Sequence, residues 1–359
     1  MEKKQKKEYI QIVILSVFIL IFAISMIFSS SISKGIKNLL FKADVKASKY
    51  DLIVHFINVG QGDAIALTLP NDKVMLIDSG PKSSQNYLVS YIKDSVLSSN
   101  NELVIDYLIL THSDIDHSGG MCAIFSEFDV KNFFRPNIAS ESEQSSDFAL
   151  KSTLDEYNET IIKAQQEKDL QINVINQEYE FYIDKVLVQI FAPLKIYGTT
   201  NEMSPIIKVS YLGKSFLFTG DINSECENDM IKKYGAELDA DVLKVAHHGS
   251  STSTSVEFIK AVTPNYAVIC VGTNSYGHPN ASVVSNLMEA GSQVLTTKQT
   301  NVRIACGREF FGVLDKEVTQ SYEFVDWWII ALVVELVFIF NLTKSIITLV
   351  TINKVEDEI

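Results

Sequence analysis

Six histidines occur in this chain, and five of them stand at the ends of apolar runs beside Gly, Asp or Ser: His112, His117, His247, His248 and His278. Loops leaving buried strands are where layered α/β proteins build their sites. His55, which alternates within Ile53-Val54-His55-Phe56-Ile57, reads as a structural residue. The densest group is Thr111-His112-Ser113-Asp114-Ile115-Asp116-His117-Ser118-Gly119-Gly120, with two imidazoles and two carboxylates within six residues. In an extended loop the alternate residues His112, Asp114 and Asp116 project the same way, and His117 folds in as the chain turns. Unpaired carboxylates are costly to bury, and a metal ion resolves that cost. Two further apolar strands deliver metal-competent residues at their ends: Ser215-Phe216-Leu217-Phe218-Thr219-Gly220-Asp221 presents Asp221, and Asp241-Val242-Leu243-Lys244-Val245-Ala246-His247-His248-Gly249-Ser250 presents His247 and His248.

The elements that must position these residues follow from hydrophobic periodicity. Short β-rich runs occupy 52–58, 64–69, 73–77, 105–111, 185–191, 206–212, 215–219, 242–246 and 266–271. Helical patterns occupy 85–97, 148–168, 225–234 and 281–290. Strands interleaved with helices predict a layered α/β domain rather than a repeat or a bundle. With 359 residues, 47% hydrophobic and 21% charged, the chain can bury a large core, which excludes disorder and small disulfide scaffolds. Cys122, Cys226, Cys270 and Cys306 lie far apart with no C-x-x-C pair, so they read as buried free thiols.

Residues 10–28 are nineteen consecutive uncharged positions, long enough for a transmembrane helix and too long for a usual signal-peptide core. A second apolar stretch starts at Trp327-Trp328 and runs to Leu342, interrupted only by Glu335, which predicts a second span with an aromatic belt at its edge. Lysines flank both sides of the spans, and the Lys-rich first nine residues favour tails in the cytoplasm and the domain outside. The formal charge is −13, and the Lys-rich first fifty residues leave the remainder more acidic still. Such a surface disfavours extended tracking along a nucleic-acid backbone.

The combination of Val59-Gly60-Gln61-Gly62-Asp63-Ala64, Leu76-Ile77-Asp78-Ser79-Gly80, the H-x-D-x-D-H loop, Asn201 with Ser204, Thr219-Gly220-Asp221-Ile222, residues 242–250 and Asn274-Ser275-Tyr276-Gly277-His278-Pro279 resembles the metallo-β-lactamase superfamily. Within it, these motifs resemble the hydrolase-like domain of the ComEC/Rec2 competence proteins. The resemblance implies an α/β fold, an αββα sandwich over 51–320, flanked by an N-terminal tail and anchor at 1–32, a basic linker at 33–50, a second transmembrane helix at 327–350 and a tail at 351–359. It implies two divalent ions, zinc or manganese. One would be held by His112, Asp114 and Asp221, the other by Asp116, His117, Asp221 and His247, with Asp221 bridging. Asp114 stands where the superfamily has a second histidine, and no histidine falls between His117 and His247, so Asn201 or Ser204 fills the third-motif corner or it stays open.

The expected chemistry is hydrolysis by a metal-activated water, with Asp116, His248 and His278 in catalytic roles. The expected setting is the cell membrane, with the catalytic domain on the extracytoplasmic side, a phosphodiester substrate (single-stranded DNA among the candidates) and a separate multi-span channel protein as partner. The competing readings are a non-enzymatic, metal-stabilised module docking on a DNA-uptake channel, and an esterase acting on a cell-wall phosphodiester.

Overall fold

A computed structural model of the chain describes residues 51–97 and 103–314. The expected spans at 10–28 and 327–350 and the linker at 33–50 lie outside the described residues; among those described, no helix is long and apolar enough to cross a membrane.

Two mixed sheets face each other. The first holds, in spatial order, Phe311–Val313, Val302–Cys306, Leu52–Phe56, Ile65–Thr68, Val74–Ile77, Val104–Ile109, Asp129–Pro136 and Gln171–Ile175. The second holds Gln293–Thr296, Tyr266–Ile269, Val242–Lys244, Lys214–Phe218, Ile206–Tyr211, Val186–Phe191 and Tyr179–Ile183. Strand Leu52–Phe56 shows why helices must cover the outside, because all five of its residues are buried. Leu52, Val54 and Phe56 enter the core between the sheets, where the Phe56 and Phe218 rings lie 6.2 Å apart. Ile53 and His55 turn to the other face. There the His55 Nδ1 meets the Tyr91 hydroxyl at 3.0 Å, in the helix Gln85–Tyr91. That helix packs with Met121–Glu127 and Asp155–Gln166 over the first sheet, while Ser224–Tyr234, Val256–Val262 and Ala281–Glu289 pack with one another along the second. The layers are therefore αββα, as the resemblance implies. Each large core side chain withdrawn from water contributes about 1.5–3 kcal/mol.

The pairing also fixes where loops emerge. Val74–Ile77, Val104–Ile109, Asp129–Pro136 and Gln171–Ile175 run parallel, as do Lys214–Phe218, Val242–Lys244, Tyr266–Ile269 and Gln293–Thr296. Ligands on such sheets gather outside the carboxyl ends of the strands. Those ends deliver Asp78, His112, Asp221, His248 and the 272–278 loop.

Some elements depart from the periodicity. The strands Asp129–Pro136, Gln171–Ile175, Tyr179–Ile183, Gln293–Thr296 and Val302–Cys306 carry too much polarity to read as apolar runs. Arg135 is the clearest case: it is buried, yet its guanidinium donates to both Glu143 carboxylate oxygens at 2.9 Å and to the Ile138 carbonyl. This pair ties down the polar stretch that follows the strand. The helix expected from residue 148 begins only at Asp155, because Leu150–Lys151 pairs with Ile138–Ala139. The pattern at 85–97 splits at Ile92, where a wider helical turn replaces the α-helix. Cys226, Cys270 and Cys306 are buried free thiols, while Cys122 is only partly buried.

A glycine holds the two halves of the first motif together. Asp63 N donates to the Asp116 carbonyl at 3.1 Å, and at Gly62, whose φ is +140°, an added Cβ would stand 2.3 Å from that same oxygen. Only glycine fits there. Gly62→Ala is expected to lower stability by about 1–3 kcal/mol, read as a lower urea midpoint with unchanged slope. An unchanged midpoint would mean that the backbone approach at Asp116 is not a constraint on the fold.

Candidate metal centre

Three histidines are aimed by their Nδ1 atoms, and the role of each nitrogen follows from what faces it. His117 Nδ1 lies 2.7 Å from Asp78 Oδ2, so it donates. His248 Nδ1 lies 2.8 Å from the Cys270 carbonyl, so it donates too. His112 Nδ1 lies 3.0 Å from Thr111 Oγ1, whose own proton goes to Asp78 Oδ2 at 2.8 Å, which leaves Thr111 able only to accept. In all three rings Nε2 is therefore the atom presented to the interior. The Nε2 atoms of His112 and His117 are buried without a hydrogen-bond partner. Buried polar atoms are rarely left so, and imidazole nitrogens converging beside carboxylates suit a divalent cation. His112, His117 and Asp221 fall in one convergent set, and Asp63, His117 and His248 in another, in which Asp63 faces the Nδ1 atoms of His117 and His248 at 3.9 and 3.3 Å.

Asp221 is the common neighbour. Its carboxylate lies 3.4 Å from His117 Nε2 and 3.4 Å from His248 Nε2, and His248 Nε2 is also 3.2 Å from Asp116 Oδ2. His247 Nε2 stands farther off, 3.9 Å from Asp221, with its side chain 30% exposed. Of the two adjacent rings, that of His248 rather than that of His247 thus lies nearer Asp221 and Asp116. The cause is local: His247 and His248 both adopt left-handed backbone, with φ of 50° and 53°. Two successive left-handed residues turn one ring inward and leave the other at the rim. Such conformations are costly outside glycine and gather where the surroundings enforce them.

The 111–120 segment also differs from an extended loop. Ile115–Ser118 forms a helical turn directly after Asp114. This brings the His112 and His117 rings to 4.1 Å between centroids, tilted by 49°, while Asp114 accepts from Thr200 Oγ1 at 2.8 Å. Asp114 therefore sits apart from both convergent donor sets. Ser204 lies against the cluster: its Oγ lies 3.2 Å from His112 Nδ1 and accepts from Asp221 N at 3.3 Å. His278 follows the strand Tyr266–Ile269 and brings its ring to 5.6 Å from His247, with a buried Nδ1 that has no partner.

Sequence reasoning quoted Asp63, Asp78 and Lys244 within their motifs but gave none of them a role. Lys244 is fully buried: its ammonium pairs with Asp63, lies 3.4 Å from Asp221 Oδ1 and donates to the Gly220 carbonyl at 2.9 Å. The signal was available, since a lysine inside Val242-Leu243-Lys244-Val245-Ala246 has no apolar purpose.

These charges set the protonation of the cluster. Burial alone would lower His248, but Asp221, Asp116 and Asp63 outweigh it and push it up to about 10. Burial likewise opposes a charge on His117, and Asp221, Asp63 and Asp78 override it, raising that group well above its usual value. His112 moves the other way, down to about 3, through burial and the neighbouring His117. Asp221 stays ionised against its burial because His248, His117 and Lys244 surround it. In the metal-free protein, then, two imidazolium ions supply the positive charge that the carboxylates require.

A metal ion needs neutral imidazole, so it must displace those protons. Metal uptake at pH 7 is expected to release about two protons per chain into weakly buffered solution, and affinity should fall as pH is lowered. Uptake with no proton release would mean that His117 and His248 are not ligands.

Residues 57–273 match the Metallo-beta-lactamase superfamily. The chain is 28% identical over 261 residues to ComE operon protein 3 of Bacillus subtilis, covering 68% of this chain and 32% of that protein. It is also 28% identical over 261 residues to Recombination protein 2 of Haemophilus influenzae, covering 72% of this chain and 29% of that one. The chain thus spans about a third of the length of these relatives. Among solved structures, the Zn(2+)-bound PqqB of Methylobacterium extorquens is 12% identical with a TM-score of 0.45, over 71% of this chain and 100% of that one. The chain belongs to the metallo-beta-lactamase superfamily, with competence proteins of the ComEC type among its homologues.

Proposed function

We propose that this chain is a membrane-anchored hydrolase that holds two divalent ions, zinc or manganese, and cleaves a phosphodiester, with single-stranded DNA the candidate that its competence-protein relatives suggest. The observation that carries the reading is the convergence of partnerless, buried Nε2 atoms on the Asp221 carboxylate. His112, His117 and Asp221 would hold one ion, and Asp116, His248 and Asp221 the other. Charge supports the count. Asp63, Asp78, Asp116 and Asp221 against Lys244 leave three negative charges with the histidines neutral, more than one divalent cation balances. The oxygen-rich donor set suits manganese as well as zinc.

Bound ions of this kind acidify a water molecule and neutralise charge on a phosphoryl oxygen. The chain's own residues do the rest. Asp78, Thr111 and the Cys270 carbonyl fix the imidazole orientations, and such partners commonly matter 10- to 100-fold in affinity or activity. Asp116, 30% exposed, is the carboxylate nearest solvent that also touches His248, which suits it to orient the attacking water. His247 and His278 line the open side, where a developing oxyanion would lie. The spans at 10–28 and 327–350 would tether this chemistry at the cell membrane on the extracytoplasmic side, next to a separate multi-span channel.

One observation favours a second reading. Asp114 is held outward by Thr200, so the donor set nearest His112 is lean, as in a metal-stabilised module that docks without turnover.

Two variants separate these readings with bis-p-nitrophenyl phosphate as substrate. Asp221→Ala is expected to lose most bound metal and at least ~100-fold in turnover, the scale of lost electrostatic stabilisation. His278→Ala is expected to keep metal content and melting temperature while turnover falls roughly 10- to 1000-fold. Wild-type protein that binds metal but turns over no phosphodiester would establish the docking module instead, and loss of metal in His278→Ala would make that residue a ligand.

A further inference from the structure

Beyond the ligand cluster, the rim of the site carries an aromatic ring, Tyr276, that the hydrolytic reading leaves unused. Tyr276 is 75% exposed at the crest of the loop after Tyr266–Ile269. Its ring lies 5.8 Å from that of His278 with a tilt of only 31°, and the His278 ring lies 5.6 Å from that of His247. His247 Nε2 is in turn 3.9 Å from Asp221. A ladder of three rings thus leads from solvent to the carboxylate at the centre of the site.

The loop that displays Tyr276 is rigidly built. One side chain, Asn274, accepts from Tyr276 N and His278 N, each at 3.1 Å, and donates to the Gly272 and His278 carbonyls at 3.1 and 2.8 Å. All of the amide's bonding capacity goes into this loop. A further tie docks its base, because Gly272 N donates to Gln61 Oε1 at 3.3 Å and an added Cβ at Gly272 would stand 2.3 Å from the Gly60 backbone. An exposed aromatic on a mobile loop would lose ordering entropy when it bound anything; this one is ordered in advance.

We propose that Tyr276, with His278 beneath it, is a stacking platform for the nucleobase next to the scissile phosphodiester. This deepens the phosphodiesterase reading and rests on it. Charge explains why recognition would take this form. With a formal charge of −13, the chain is poorly suited to holding a strand by neutralising successive phosphates. Stacking needs no cation and accepts any base, since every base has a π-face. A phosphodiester held by ions at Asp221 would have its neighbouring base only a few bonds away, on the side of the site that the ladder lines. The platform therefore favours a single-stranded nucleic acid over a wall-type phosphodiester that carries no base.

The test compares manganese-loaded full-length protein on an eight-nucleotide dT oligomer and on an abasic oligomer of the same length. Wild type is expected to prefer the dT oligomer about 10- to 100-fold in kcat/KM, the range for one base on one aromatic ring, with the difference in KM. Tyr276→Ala should bring that ratio close to one, and Tyr276→Trp should retain it. A wild type without the preference, or a Tyr276→Ala variant that keeps it, overturns the platform while leaving hydrolysis intact. If metal-loaded wild type hydrolyses neither oligomer, the phosphodiesterase reading fails and the platform falls with it.

Discussion

The Lys244 ammonium, buried between Asp63 and Asp221, is the contact on which the site depends. Bringing several carboxylates to one buried sheet edge is prohibitive without nearby positive charge. Lys244 supplies one such charge permanently, from inside a strand. His117 and His248 supply two more that can be given up. On the proposed reading the site can exist without metal and accept it, because the fixed cation keeps Asp63 and Asp221 ionised while the imidazoles would exchange protons for ions.

The rest of the fold serves this cluster by convergence. Asp78 leaves the end of Val74–Ile77 and His112 follows Val104–Ile109 in one sheet, while Asp221 follows Lys214–Phe218 and His248 follows Val242–Lys244 in the other. No single element could gather these groups; two facing sheets with parallel strands ending at the same edge can. Strain is spent where convergence requires it, at the left-handed pair His247-His248 and at the close approach of Gly62 to Asp116. The surroundings that hold these conformations are backbone contacts and Nδ1 hydrogen bonds, so the geometry is set before any ligand arrives.

Much of this was legible in the sequence, and the limits have physical causes. The strands that read clearly, such as Ile65–Thr68 and Lys214–Phe218, are buried apolar runs; Asp129–Pro136 escaped because its buried arginine is satisfied by Glu143, a residue that is remote from the pattern of the strand itself. The motif loops pointed to His112, Asp116, His117 and Asp221, which the structure brings close to one another. They could not say which of two adjacent histidines turns inward, since that depends on backbone φ at His247 and His248 rather than on residue type. Asp114 looked equivalent to Asp116 by spacing, and only the helical turn at Ile115–Ser118 separates them. Lys244 was hidden for another reason: it appears alone in an apolar run, and its meaning comes from meeting Asp63, a residue of the 59–64 motif, across the two sheets.

The central claim is that this edge is built for two divalent ions sharing Asp221. Anomalous diffraction from crystals of the metal-loaded protein, collected on either side of the zinc or manganese absorption edge, addresses it most directly. Two peaks are predicted, one beside His112 and His117 and one beside Asp116 and His248, with the Asp221 carboxylate between them. A single peak away from Asp221, or none within the cluster at saturating metal, would contradict it.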